Sequence, residues 1–431
     1  MNPGGAAGGF GGLHTDQAPP LAVPTSFYAV SVAAMVIAGG LLASGVPVFG
    51  ARALPGALVL THLVTLGWLG SVMLGSIYQV LPVLAGVPVP WPRLGHGVAV
   101  GWVVGVAALS AGLGSGRPEW MRIAVGVLAV TLGAFLVPVG AALWRSRGTS
   151  ATVAGIRGAV VALGFTAGLG GLLALGRAGI PTLGGDYTGR VLSHAGAGAL
   201  LWVGALVAAV GWQVVPMFYL APDPSPRLTF AVRRVLLLSF FGLVGVQAIG
   251  APLGAVQLVL APAAVAVLGV QSVATLRAIQ GRKRKRADPS LDFWRAGLAC
   301  AVGGLGVAAV SVWAADQRWG VALGWTLGVG FGGLVTHGML CRIVPFLVWF
   351  HRFAPWVGRV GVPTMKELLP DARAAWALRA HLATFAVGLV AIGTGWAPLA
   401  RVTGALLLLT AGLLGANLAG ALRRRAPTPA G

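Results

Sequence analysis

Apolar residues run along this chain in blocks of about twenty, broken by short stretches that hold nearly all of the charge. That block length matches the hydrocarbon thickness of a bilayer crossed as a helix. The blocks lack the strict alternation of a membrane β-strand, and lipid offers no partner to an open backbone, so helices are the remaining option. Twelve spans are predicted, at roughly 26–48, 56–86, 94–114, 120–144, 156–176, 190–220, 230–250, 255–278, 293–314, 319–350, 376–396 and 399–421. The fold class is therefore all-α: a polytopic membrane protein whose natural partner is the lipid bilayer.

Composition agrees with the pattern. Of 431 residues 57% are hydrophobic and 9% are charged, against about 25% charged in an ordinary soluble domain. The formal net charge of +21 sits in short loops between apolar blocks, so it does not point to nucleic acid. Cys300 and Cys341 lie inside predicted helices and form no CxxC, so no disulfide framework or thiolate metal site is indicated. Residues 1–25 are rich in Gly, Pro and Ala and carry no Lys or Arg, so they read as a disordered tail and not as a secretory signal.

Charge decides the expected orientation. With twelve crossings both termini share a side, and 22 of the 30 Lys and Arg residues fall there, against 7 opposite, with Arg342 inside the tenth helix. The positive-inside rule then expects both termini, including the 422–431 tail, in the cytoplasm of a bacterial-type inner membrane. The run GRKRKR at 281–286 reads as a topology anchor on that side.

A phrase repeats on the second, sixth and tenth helices. THLVTLGWLGSVMLGSIYQVLP (61–82), SHAGAGALLWVGALVAAVGWQVVP (193–216) and WTLGVGFGGLVTHGMLCRIVP (325–345) align without gaps in their cores. Trp68, Trp202 and Phe331 stand eleven residues before Gln79, Gln213 and Arg342. Gly70, Gly204 and Gly333 follow two residues after the aromatic, and Pro82, Pro216 and Pro345 close each phrase. The copies are 134 and 129 residues apart, a period of four helices. The chain thus reads as three four-helix modules, about 26–150, 151–285 and 286–421, with a pseudo-threefold repeat in one membrane domain. Glycines permit close helix approach, and Gln79 and Gln213 are expected to satisfy backbone carbonyls freed by the prolines.

Three four-helix modules with a histidine near the start of helices 2 and 6 resemble subunit I of the haem–copper oxidases, with the NnrS proteins as more distant relatives. The phrases just quoted, together with RIVPFLVWFHR, carry the resemblance. It implies a non-covalent b-type haem, since no CxxCH motif exists, and copper as a second cofactor. It also implies a redox partner or a small gas ligand, and a role in electron transfer, gas binding or respiration. The implied site residues are His62 as a haem ligand on helix 2, His194 as a metal ligand on helix 6, and His337 on helix 10.

The residues themselves leave these roles open. An ionisable group within a span is costly and points to function, and imidazole suits both iron and copper. His62 aligns with Gly196, two residues beyond His194, so His194 is expected to face elsewhere. His337 lies twelve residues past Trp325, the position aligned with His62, about 18 Å deeper, so the two are not expected to share one haem. His96, His351 and His381 are placed at solvated helix ends beside Arg93, Arg352 and Arg379, and His14 in the tail. Arg342 reads as structural, its charge snorkelling to the near surface.

The oxygen-reducing site of that family is incomplete here. The seventh helix, FAVRRVLLLSFFGLVGVQAIG, has no histidine, Gly198 stands where a tyrosine is common, and no carboxylate lies at depth. A complete terminal oxidase is therefore not expected. The alternative of a different class is a secondary transporter of a small solute or metal, although transporter folds favour two halves over three.

Overall fold

A computed structural model describes residues 19–181, 184–283, 285–358 and 361–426. His14, most of the N-terminal tail and the last residues of the C-terminal tail lie outside the described residues.

Among the described residues twelve helices are long and apolar enough to cross a membrane. They are α1 (Ala22–Ala43), α2 (Pro55–Pro82), α3 (Leu94–Ser115), α4 (Pro118–Arg145), α5 (Ala151–Arg177) and α6 (Tyr187–Tyr219), followed by α7 (Pro226–Ala248), α8 (Leu253–Gln280), α9 (Pro289–Trp313), α10 (Arg318–Trp356), α11 (Asp371–Thr394) and α12 (Ala397–Leu422). No strand occurs among the described residues. Helix α1 begins at Ala22, so residues 22–25 belong to the first span and not to a tail. Proline at the first helical turn, where a missing N–H costs nothing, opens α2, α4, α7, α9 and α12.

Three helices form the centre. In α2, α6 and α10 the apolar window is 67, 72 and 89% buried, while no other span exceeds 50%. These are the helices that carry the repeated phrase. The other nine surround them, and α1 packs on α12 to close the ring. Short connections, two residues between α3 and α4 and two between α11 and α12, make successive spans run in opposite directions. Most of the bases therefore gather at one end, called here the basic end. Exposed tryptophans sit near both ends, Trp91, Trp144 and Trp376 at the basic end and Trp120, Trp313, Trp319 and Trp396 at the other, as expected of side chains that favour the two lipid–water boundaries.

The repeat has a backbone counterpart. Each central helix widens into a π-helical segment at the same place: Leu63–Gly70, Ala197–Gly204 and Thr326–Gly333. These segments are again 134 and 129 residues apart. Each ends on the repeated glycine. A methyl group at Gly70, Gly204 or Gly333 would sit 3.1 Å from the carbonyl oxygen five residues upstream, of Thr65, Ala199 or Gly328. The same methyl would meet Trp102 at 3.0 Å, Val267 at 2.6 Å and Trp68 at 2.7 Å. The wide turn and the neighbouring helix both exclude a side chain, which is why glycine recurs at that spacing.

Candidate functional site: two histidine pairs

Four of the seven histidines form two pairs at two levels. The first pair joins α2 to α6. The rings of His62 and His194 have centroids 6.4 Å apart and planes 19° from parallel. His62 Nδ1 lies 2.8 Å from the Leu58 carbonyl oxygen, and His194 Nδ1 lies 3.0 Å from that of Thr166 on α5. A carbonyl oxygen only accepts, so each Nδ1 carries the proton and each Nε2 keeps its lone pair. Gly170, one turn along α5 from Thr166, makes room for the second ring: a methyl there would lie 2.8 Å from His194 Cε1. Both residues are half-buried, and the Arg177 guanidinium at the end of α5 is in electrostatic reach of His62.

The two-residue offset was expected to turn His194 away, and the structure corrects this. In a threefold arrangement, equivalent positions point the same way around the ring. If His62 on α2 looks toward α6, its exact equivalent on α6 looks onward. A residue that looks back must occupy another face, and a shift of two residues, about 200°, supplies one. The imperfect register is what lets the two imidazoles meet.

The second pair joins α10 to α11, nearer the basic end. His337 Nδ1 and His381 Nδ1 are 3.1 Å apart, and His381 Nε2 is 3.0 Å from the Val329 carbonyl oxygen. His381 therefore donates from Nε2 and presents a lone pair at Nδ1. His337 donates to it from Nδ1, which leaves His337 Nε2 bare, and this atom is buried without a partner. Both residues are fully buried. Phe293 stacks on His337 at 4.6 Å, and the Trp68 ring is 5.5 Å from His381. His337 thus pairs with His381 and not with His62.

His381 was assigned to a solvated helix end, which the structure overturns. Helix α11 starts at Asp371, five residues earlier than predicted, so His381 lies about three turns inside it. Arg379, two residues away, is on another face, where its guanidinium lies 4.8 Å over the Trp376 ring. The sequence signal that could have found the helix start is the Pro370–Asp371 pair, a proline followed by an acid in the first turn. Of the remaining histidines, His96 is exposed. His351 is half-buried, with Nε2 unpartnered.

The repeated polar positions behave unequally. Gln79 is buried, and its side-chain oxygen has no partner. Trp68 is fully buried with its indole N–H unpartnered. Trp202 is buried too, and Gln213 is half-buried. Arg342 does more than snorkel. Its guanidinium stands 3.5 Å from Asp288, which caps α9, and lies over the Phe218 and Tyr219 rings.

Among the described residues no group of three or more His, Cys, Asp or Glu side chains converges on one point. A tetrahedral zinc centre, which needs four ligands, is not built here. A haem iron asks less of the protein, because the macrocycle supplies four nitrogens and the chain only the axial ligands. Two imidazoles on opposite sides of one metal, each at about 2.0 Å, place their ring centres roughly 6.3 Å apart, and the observed 6.4 Å matches. His62 and His194 each keep an unprotonated Nε2, the donor type that a haem iron takes from the chain. No protein-family model matches this chain, and no curated protein matches it.

Proposed function

We propose that this protein is a haem-binding, subunit I-like integral membrane protein that transfers electrons, with His62 and His194 as the two axial ligands. The observation that supports this reading is the pair of neighbouring imidazoles, their ring centres 6.4 Å apart, each held by a hydrogen bond from its own Nδ1 to a main-chain carbonyl, which leaves Nε2 unprotonated. Such bonds orient a ligating imidazole and raise its basicity. Bound there, a haem would supply one-electron redox chemistry. With His62 and His194 both holding it, a haem would be suited to electron transfer more than to capture of a gas. Arg177 stands at the same end and offers positive charge to an anionic group. The lack of a histidine pair on α7 further supports a carrier over a complete oxidase. We assign the basic end to the cytoplasm of a bacterial inner membrane, on the charge asymmetry. The pair would then lie toward the outer leaflet, open to a redox partner on that side.

The test is a reduced-minus-oxidised spectrum of the purified protein and of His62→Ala and His194→Ala, with protein amount fixed by immunoblot. The parent is expected to show a low-spin b-type spectrum, and each variant to lose haem roughly tenfold or more. Equal losses distinguish an axial pair from a single ligand. A parent without haem would overturn the reading in favour of a transporter, and unchanged haem in either variant would overturn the assignment of that histidine.

A further inference from the structure

The lipid-facing surface of α7 carries charge where charge is costly. Its apolar window is 22% buried, the least of any span together with α9. Arg227, Phe230, Arg234, Leu237, Leu238 and Phe241 are all exposed and recur at helical spacing along one stripe. Arg234 stands eight residues after Pro226, the first residue of α7, about 12 Å along the axis from the basic end. Apolar side chains flank it on both sides of that stripe. A cation on a lipid face is costly unless it reaches the boundary or meets a counter-charge. Arg233, on another face, donates from Nε to the Thr229 carbonyl; Arg234 has no such partner.

The counter-charge does not come from the protein. Among the described residues the guanidinium groups of Arg227, Arg234 and Arg277 make no ion pair and no hydrogen bond. The acids of the basic end are engaged elsewhere: Asp288 with Arg342, Asp292 with Arg295, and Asp371 with Lys366. Glu367 caps its own turn with Thr364. Asp223, in the connection before α7, is exposed and in no ion pair. Arg277 is also exposed and joins the α7 arginines from α8. The two helices are antiparallel, and two contacts fix their register. A Cβ at Gly242 would lie 2.8 Å from Val259, and one at Gly281 would lie 3.6 Å from Pro222. Arg277, one turn before Gly281, therefore stands level with the first turn of α7, where Arg227 is.

We propose that Arg227, Arg234 and Arg277 seat the phosphate of an anionic phospholipid in the leaflet at the basic end. Its acyl chains lie along Leu237, Leu238 and Phe241, the apolar continuation of the same stripe. A guanidinium takes two phosphate oxygens at once, and its long stem lets Arg234 bend back toward the headgroup level. The loop beside the site adds attraction of the same sign. Lys283 donates its main-chain N–H to the Leu220 carbonyl, which holds the loop against the start of the α7 connection, and Lys283, Lys285 and Arg286 are exposed. A zwitterionic lipid brings its own cation to such a place and gains less. A free phosphate meets the same arginines but leaves the apolar stripe uncovered. Each arginine near an anionic headgroup is worth about fivefold in affinity.

The experiment titrates the full-length protein in detergent with phosphatidylglycerol, phosphatidylcholine or glycerol 3-phosphate and counts bound copies by native mass spectrometry. A first phosphatidylglycerol is expected to bind roughly tenfold or more tighter than phosphatidylcholine, and glycerol 3-phosphate should not compete with it. Arg227→Gln/Arg234→Gln/Arg277→Gln should weaken that first binding about a hundredfold, while the same three positions changed to Lys should keep most of it. Arg93→Gln/Arg145→Gln/Arg147→Gln removes three other exposed bases of the basic end and should change it by about twofold at most. Equal losses in the two Gln triples would reduce the effect to diffuse attraction and overturn the proposal. Equal binding of phosphatidylcholine, or competition by glycerol 3-phosphate, would overturn it as well. If the Gln triple fails to fold, Arg234→Gln alone decides, with an expected loss of about fivefold; an unchanged affinity there would overturn the site.

Discussion

The indole edge of Trp68 on α2 lies against Gly333 on α10, where a methyl group would come within 2.7 Å of Trp68 Cη2. Both are positions of the repeated phrase, one from the first copy and one from the third. The same indole lies beside His381, so this contact sets the spacing of the two central helices and supports the deeper histidine pair.

Gly333→Ala is therefore expected to destabilise the protein by about 1–3 kcal/mol, since the methyl overpacks both the Trp68 ring and the Gly328 carbonyl. Thermal unfolding in detergent measures it. Gly303, with open space around its Cβ position, is the control, and Gly303→Ala should be neutral or slightly stabilising. An equal effect of the two substitutions would show that the close approach does not matter.

Deleting Leu66 should return Leu63–Gly70 to a regular α-helix. His62 would then rotate by about 100° relative to the rest of α2, and its ring would leave its place beside His194. Membrane insertion should persist while the haem spectrum is lost. A variant that keeps its full haem spectrum would show that the widened turn does not position the ligand.

The C-cap residues that follow the helices of the first two copies are Gly86 and Leu220, two positions 134 residues apart, both in the left-handed conformation at φ 64° and 52°. Glycine adopts it freely, but leucine pays a steric penalty. Leu220→Gly should therefore stabilise the protein by about 1 kcal/mol, read as a rise of roughly 1–2 °C in the unfolding midpoint in detergent. A fall in the midpoint would mean that the half-exposed Leu220 side chain outweighs its backbone strain.

Orientation is open to a direct measurement. With the basic end in the cytoplasm, a cysteine at Lys283→Cys should resist an impermeant thiol reagent in intact cells and react once the membrane is opened. The native thiols are one buried and one half-buried. Efficient labelling of intact cells would reverse the assignment of sides.

The sequence by itself determined the class and the frame. Twelve spans were legible because each must satisfy its backbone alone and present apolar side chains to lipid, and both constraints act on one helix at a time. The repeat was legible because one packing problem, close approach at a widened turn, is solved three times by the same residues, Trp68 or its equivalent and Gly70 or its equivalent. The tertiary structure decided which side chains meet. His194 turned toward His62 because facing across a threefold ring demands different helix faces, a relation that alignment of the copies hides. His381 was missed because five residues of α11 went uncounted and because its neighbour Arg379 lies on another face of the same helix. Helix number can be read along a chain, and depth too where the helix start is marked, but rotation about each helix axis is fixed only when the helices pack.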